Sequence, residues 1–235
     1  GDDESELRHL SKIWGPLHEP AVSVLQDNSL WSVFMAQVVD VAEWELKERP
    51  ESARLVRPIS FCLAQEFGPA HYSVGRIAST AKFVNEKRVY DLWQSSPEAA
   101  RQAAAQMHIR SREIAPILEN QQLCQEGSNA VFKWRCHTAE FLDFIEQSLC
   151  GIVESERERW IIKKAMVRGL SSTAGCGGGV YIASCNNLRA RLVGLLVGEH
   201  LKTSTARNTA RHFGISIQHV YRLADEAKAR EKEVT

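Results

Sequence analysis

The chain has 235 residues and no net charge, with 29 Lys and Arg balancing 29 Asp and Glu. A protein that binds nucleic acid over its whole surface carries a basic excess, so the balance leaves only local basic patches for that role. The six cysteines (Cys62, Cys124, Cys136, Cys150, Cys176 and Cys185) form no Cys-x-x-Cys pair and no regular framework. That argues against a zinc ribbon or a disulfide scaffold, and predicts reduced thiols in a cytoplasmic protein without a bound metal. No apolar run approaches a membrane span, and none near the start resembles a signal-peptide core, so no membrane association is expected. The run Gly175-Cys176-Gly177-Gly178-Gly179 lacks the Gly-Lys-Ser/Thr that a phosphate loop requires. Neither a carboxylate pair nor a nucleophile with its base stands at a catalytic spacing. Neither an enzyme nor a cofactor is expected.

Hydrophobic residues make up 44% and charged residues 25% of the chain, ordinary for a globular protein of one large or two small domains. The charge is segregated. Residues 186–224 hold Arg189, Arg191, Lys202, Arg207, Arg211 and Arg222 against Glu199 alone. Residues 76–114 hold seven bases against four acids, and residues 1–66 hold twelve acids against six bases. Two basic blocks and an acidic N-terminal part suit DNA contact at two places.

The stretch Thr205 to Ala227 has the residue spacing of a helix-turn-helix. Two short helices crossing steeply need a small residue where they touch, and Ala210 fills that place. Gly214, four residues on, suits a turn with positive φ. Phe213, Ile215, Val220 and Leu223 then face the crossing, and Ser216, Ile217, Gln218, Tyr221 and Arg222 point outward. An ordinary helical hairpin is the plain alternative. Ala104, Met107, Ile109, Ile114 and Ile117 repeat the spacing of Ala210, Phe213, Ile215, Val220 and Leu223, with His108 in place of Gly214. This predicts a second helix-turn-helix over Ala99 to Leu118, opened by a capping box of Ser95 and Glu98. Pro116 is expected to distort or shorten its second helix.

Apolar periodicity predicts helices over Leu30–Lys47, Glu51–Phe67, Ile77–Trp93 (with a basic face), His137–Val153, Glu154–Leu170 and Leu188–Leu201. Short strands are expected at Ala70–Val74 and Val180–Ile182. The order helix pair, glycine turn, strand with Tyr, helix, helix-turn-helix therefore occurs twice. Tyr72 to Ile109 spans 37 positions and Tyr181 to Ile215 spans 34, so one three-residue gap aligns the copies. The fold class expected is mainly α, with two tandem repeats whose strands pair as a small antiparallel ribbon in a pseudo-twofold arrangement. The boundaries are an acidic arm over 1–28, with a short helix through Leu7, Leu10, Ile13 and Trp14, a first repeat over 29–118, a connector over 119–136, a second repeat over 137–228 and a fraying tail over 229–235.

The chain over about residues 154–225, most specifically in GGGVYIAS and ARHFGISIQHVYRLADEA, resembles the Mor/C family of phage transcription activators; residues 30–118 resemble it more faintly. Ala183-Ser184 follows the strand where that family has Pro-Lys. The resemblance implies a helical bundle and ribbon, binding to a dyad upstream of a promoter, and RNA polymerase as a second partner. Two units in one chain imply a monomer acting as a pseudo-dimer, with a homodimer of whole chains as the other possibility.

The DNA roles follow from side-chain chemistry. Ser216, Gln218 and Arg222 are assigned to bases, Gln for adenine and Arg for guanine, and Ile217 to a thymine methyl. Thr205, Arg207, Arg211, His219 and Tyr221 are assigned to phosphates, with Arg189, Arg191 and Lys202 flanking. In the first unit Arg110, Ser111 and Arg112 hold the matching outward positions, supported by Arg101. For any one arginine, a solvated surface charge is the plain alternative. Tyr72 and Tyr181 either reach DNA from the ribbon or pack on the bundle. The function expected is a sequence-specific transcriptional regulator, an activator from a phage or mobile element. The alternatives are an accessory factor in recombination or partition, and a protein-interaction scaffold.

Overall fold

The computed structural model describes residues 19–128, 131–174 and 178–233. The expected helix through Leu7 and Trp14 and the start of the glycine run lie outside the described residues. The fold is mainly helical with one two-stranded antiparallel sheet. In chain order the elements begin with α1 (Glu19–Leu25), α2 (Val33–Glu45), α3 (Pro50–Ala53), α4 (Val56–Phe67) and β1 (Ala70–Ser73). There follow α5 (Ile77–Ser95), α6 (Pro97–Gln106), α7 (Ser111–Gln125), α8 (Lys133–Leu149) and α9 (Glu156–Thr173). The last are β2 (Gly179–Ile182), α10 (Asn186–Leu201), α11 (Ala206–Phe213) and α12 (Ile217–Glu233). Two compact units result, one of residues 33–184 and one joining 19–32 to 185–233. This division does not follow the tandem boundaries: the helix pair and strand of the second copy share a unit with residues 33–118 of the first copy.

In the larger unit α2 packs chiefly on α9. Met35, Val38, Val39 and Ala42 on α2 and Ile162, Ala165 and Met166 on α9 are buried. Gly169 permits the close approach, because a Cβ there would stand 2.6 Å from the Val38 carbonyl oxygen. The helix expected over Glu51–Phe67 is split into α3 and α4. Pro58 sits in the first turn of α4, where its missing N–H costs no helical bond. Arg57 beside it is buried and pairs with Glu43 at 3.1 Å.

The ribbon pairs as expected. Its register sets Ala70 opposite Ile182, His71 opposite Tyr181, Tyr72 opposite Val180 and Ser73 opposite Gly179. Strand alternation buries Val180 and Ile182 and leaves Tyr181 exposed. The two tyrosines differ in role. Tyr72 donates to the Phe67 carbonyl at 2.5 Å and packs edge-on against Phe67, Phe141 and His137. Tyr72 is thus a packing residue, while Tyr181 only tilts over His71.

Three local expectations are corrected. Pro116 does not shorten α7, which runs 15 residues through it; the Arg112 carbonyl deprived of its donor belongs to an exposed residue, open to water. Residues 119–125 are therefore helix, α8 begins at Lys133, and the connector shrinks to 126–132. The N-cap of α6 is Ser96, whose Oγ accepts from the Ala99 N–H at 3.2 Å, while Ser95 donates back to the Leu92 carbonyl. The tail also differs from expectation, since α12 continues to Glu233.

Candidate nucleic-acid interface

In the smaller unit α10, α11 and α12 close on one core of Val197, Ala210, Phe213, Val220 and Leu223. Thr205 caps α11, its Oγ1 accepting from the Asn208 N–H at 3.2 Å. Gly214 ends α11 with φ 66°, and the Ile215 N–H returns to the Ala210 carbonyl at 3.0 Å. That bond closes the end of α11 and turns the chain toward α12 within a few residues. Ser216 then caps α12, its Oγ accepting from the His219 N–H at 3.1 Å. Thr209 is fully buried, and its hydroxyl meets His200 Nδ1 at 2.8 Å, tying α11 to α10. His212 stacks on His200 with ring centres 4.5 Å apart. Residue spacing did not disclose this His–Thr–His tie, because it joins separate helices through polar contacts.

With that core buried, the outer surface of α12 follows. Ile217, Gln218, Tyr221 and Arg222 are exposed, one helical turn bringing them onto a single face. His219 is half-buried. Ser216 is exposed, but the cap occupies a lone pair of its Oγ. Arg222 lies 3.9 Å from Glu226, which reaches Arg230 at the same distance. Arg207 and Arg211 are exposed on α11. Lys202 bonds Glu199 at 2.8 Å. Arg191 lies near Asp27, whose carboxyl is held below its usual range first by hydrogen bonds from Ser29, with Arg191 adding to them. Arg189 stands half-buried in the first turn of α10.

The first helix-turn-helix is also formed. Val89, Ala100, Ala104, Ile114 and Ile117 make its core, with Met107 and Ile109 packed against it. His108 replaces glycine at the turn and takes φ 60°. The Ile109 N–H returns to the Ala104 carbonyl at 2.8 Å, the counterpart of the Ile215–Ala210 bond. Glu113 accepts from the Arg110 N–H at 2.7 Å and caps α7 from inside. The three-residue gap between the copies falls in α6: its cap, Ser96, stands eight residues before Ala104, whereas Thr205 stands five before Ala210. Arg110, Ser111 and Arg112 are exposed at the start of α7, and Arg101 lies over the Trp93 ring at 5.0 Å. Beyond that turn the outward positions matching Tyr221 and Arg222 hold Ala115 and Pro116.

The basic face expected on α5 is not a free surface. Lys87 is 1% exposed and bonds Asp91 at 3.0 Å and Asp143 at 2.7 Å. Arg88 is buried, grips Glu156 with two bonds of 2.8 and 2.9 Å, and lies 4.2 Å over Trp160. Two of the seven bases in residues 76–114 thus hold the interior together. Among the described residues no set of three or more His, Cys, Asp or Glu is placed to hold a metal ion, and no helix is long and apolar enough to cross a membrane. Neither protein-family models, nor curated proteins, nor solved structures yield a match to this chain.

Proposed function

We propose that the chain is a sequence-specific regulator of transcription that binds double-stranded DNA and reads the major groove with α12. The observation that carries this is the pairing of a glycine-turned helix-turn-helix with an exposed face of Ile217, Gln218, Tyr221 and Arg222. Gln218 offers a donor and an acceptor suited to adenine, Arg222 a fork suited to guanine, and Ile217 an apolar contact for a thymine methyl. Thr205, Arg207 and Arg211 stand at the start of and along α11, where the first helix of such a motif meets the phosphates. The Mor/C resemblance supports activation at a promoter with RNA polymerase as second partner, in a bacterial cytoplasm. The two helix-turn-helix copies in one chain support an intramolecular pseudo-dimer.

Selection of bound duplexes from random sequence tests the reading. A recovered motif, with affinity falling steeply as salt rises, is expected. Two unlike half-sites about one helical turn apart mark a pseudo-dimer, and a palindrome marks dimerisation of whole chains. Recovery of no motif, with binding indifferent to salt, refutes the proposal.

A further inference from the structure

The larger unit holds a groove of about 980 Å³ where α5 begins beside the end of α9. Arg76, Ser79, Trp134, Ser171 and Ser172 are among its lining residues, and no carboxylate is among those described. α5 is 19 residues long, and Arg76 at its N-cap makes no side-chain capping bond. Thr80 donates the first helical N–H, to the Arg76 carbonyl at 2.9 Å. The N–H groups of Ile77, Ala78 and Ser79 precede it at the helix's positive end, in residues that are all exposed. Arg76 is exposed too, with no ion-pair partner among the described residues.

A second observation is independent of the helix end. Ser171 on α9 is 7% exposed, and its Oγ is buried without a hydrogen-bond partner. A helical serine commonly satisfies its hydroxyl on the preceding turn, as the neighbouring Ser172 does by donating to the Arg168 carbonyl at 2.7 Å. A buried hydroxyl that makes no such bond, on the wall of an acid-free groove, has a donor to offer a ligand.

We propose that this groove is an oxyanion site that takes a phosphate group. Its donors are the first-turn N–H groups of α5, the Arg76 guanidinium and the hydroxyls of Ser79 and Ser171. The phosphate is supplied either by a DNA backbone or by a free phosphorylated small molecule; only the first source rests on the DNA-binding reading above.

The test titrates inorganic phosphate into the full chain and follows the backbone amides of Ala78 and Ser79 by NMR, with Arg76→Gln and Ser171→Ala beside the wild type. Saturable shifts that weaken tenfold or more in both variants are the expected result. Arg76→Gln keeps an exposed polar residue, so it carries the test if Ser171→Ala perturbs folding. Both proteins are then titrated with specific and unrelated duplexes. Equal weakening on both duplexes, with the salt slope reduced by about one contact, identifies DNA as the source. Unchanged duplex affinity with lost phosphate binding identifies a free ligand. Absence of saturable shifts in the wild type, or equal shifts in wild type and Arg76→Gln, overturns the site whether or not the chain selects a DNA motif.

Discussion

The two turns make a reciprocal prediction. His108 has φ 60° and Gly214 has φ 66°, so an L-residue occupies the left-handed region in one motif and glycine in the other. A Cβ built on Gly214 meets nothing within 4 Å, so replacing it carries a backbone cost and no packing cost. The left-handed region costs an L-residue about 1–2 kcal/mol. Glycine's greater loss of freedom on folding offsets roughly 0.5–1 kcal/mol of that. Gly214→Ala is therefore expected to destabilise the smaller unit by about 0.5–1 kcal/mol, and β-branched Gly214→Val by about 2 kcal/mol. At the other turn the sign reverses: His108→Gly stabilises by up to about 0.5 kcal/mol, and His108→Val destabilises by about 1–2 kcal/mol. The chain has two compact units, so one unfolding midpoint does not isolate either motif. Amide hydrogen exchange along α6–α7 and along α11–α12 reads each separately. Loss of protection in α6–α7 on His108→Gly, or no change in α11–α12 on Gly214→Val, refutes the left-handed assignment and the helix-turn-helix geometry built on it.

Three further outcomes are expected. Arg222→Ala leaves folding intact, because its 3.9 Å contact with Glu226 on an exposed face is worth only a few tenths of a kcal/mol; it weakens binding to the selected site by about 1–3 kcal/mol while barely changing non-specific binding, measured by competition titration. Lys87→Met destabilises the larger unit by about 1–3 kcal/mol at neutral pH, a discounted figure because Asp91 and Asp143 stay partly hydrated. Burial alone would lower the Lys87 pKa, but Asp91 and Asp143 outweigh it and raise it; the ion pair's stabilisation is whole below the unfolded value of about 10.4, so wild type and variant converge in urea titrations as pH rises through the folded value. Among the described cysteines, iodoacetamide at pH 8 labels exposed Cys150 first, while burial pushes Cys62 up to about 12 and Cys124 up to about 11 and protects both; peptide mass spectrometry checks the order.

What was legible in the sequence was the part fixed by short-range geometry. The spacing of Ala210, Phe213, Val220 and Leu223 states a helix crossing by itself, and the same interval at Ala104 disclosed the second one despite the missing glycine. The strands were legible because each is too short to stand alone, and a copy of each kind was present to pair. Charge was less legible. Counting bases in residues 76–114 located them in the chain, but the partners that bury Arg88 and Lys87 are Glu156 and Asp143 on distant helices. The effect of Pro116 is hidden from the sequence for the same reason. Its cost depends on whether the orphaned carbonyl faces water, which is a property of the assembled face rather than of the local run. The division into units also follows long-range packing, with α9 on α2, that no local pattern states.

The two motifs share a scaffold and differ on the surface that faces away from it. At positions corresponding to Gln218, Tyr221 and Arg222 the first motif carries Arg112, Ala115 and Pro116. The bases and acids of α6–α7 are equal, Arg101, Arg110 and Arg112 against Glu98, Glu113 and Glu119, whereas α11–α12 has six bases to four acids. The buried side of α7 packs Ile114 and Ile117 on Val89 of α5, and its far end meets α8. Those contacts belong to the core of the larger unit and hold the motif in shape whatever its outer face carries. Shape alone is therefore weak support for DNA reading by α7, whose positions matching Tyr221 and Arg222 hold Ala115 and Pro116 and offer neither a fork nor an amide to a base pair. α12 has both on a unit of its own. On the proposed DNA-binding reading, base preference is expected to concentrate in the half-site that α12 meets, with Arg110 and Arg112 of the first motif expected at phosphates, a contribution that would be uniform across sequences and fall with salt.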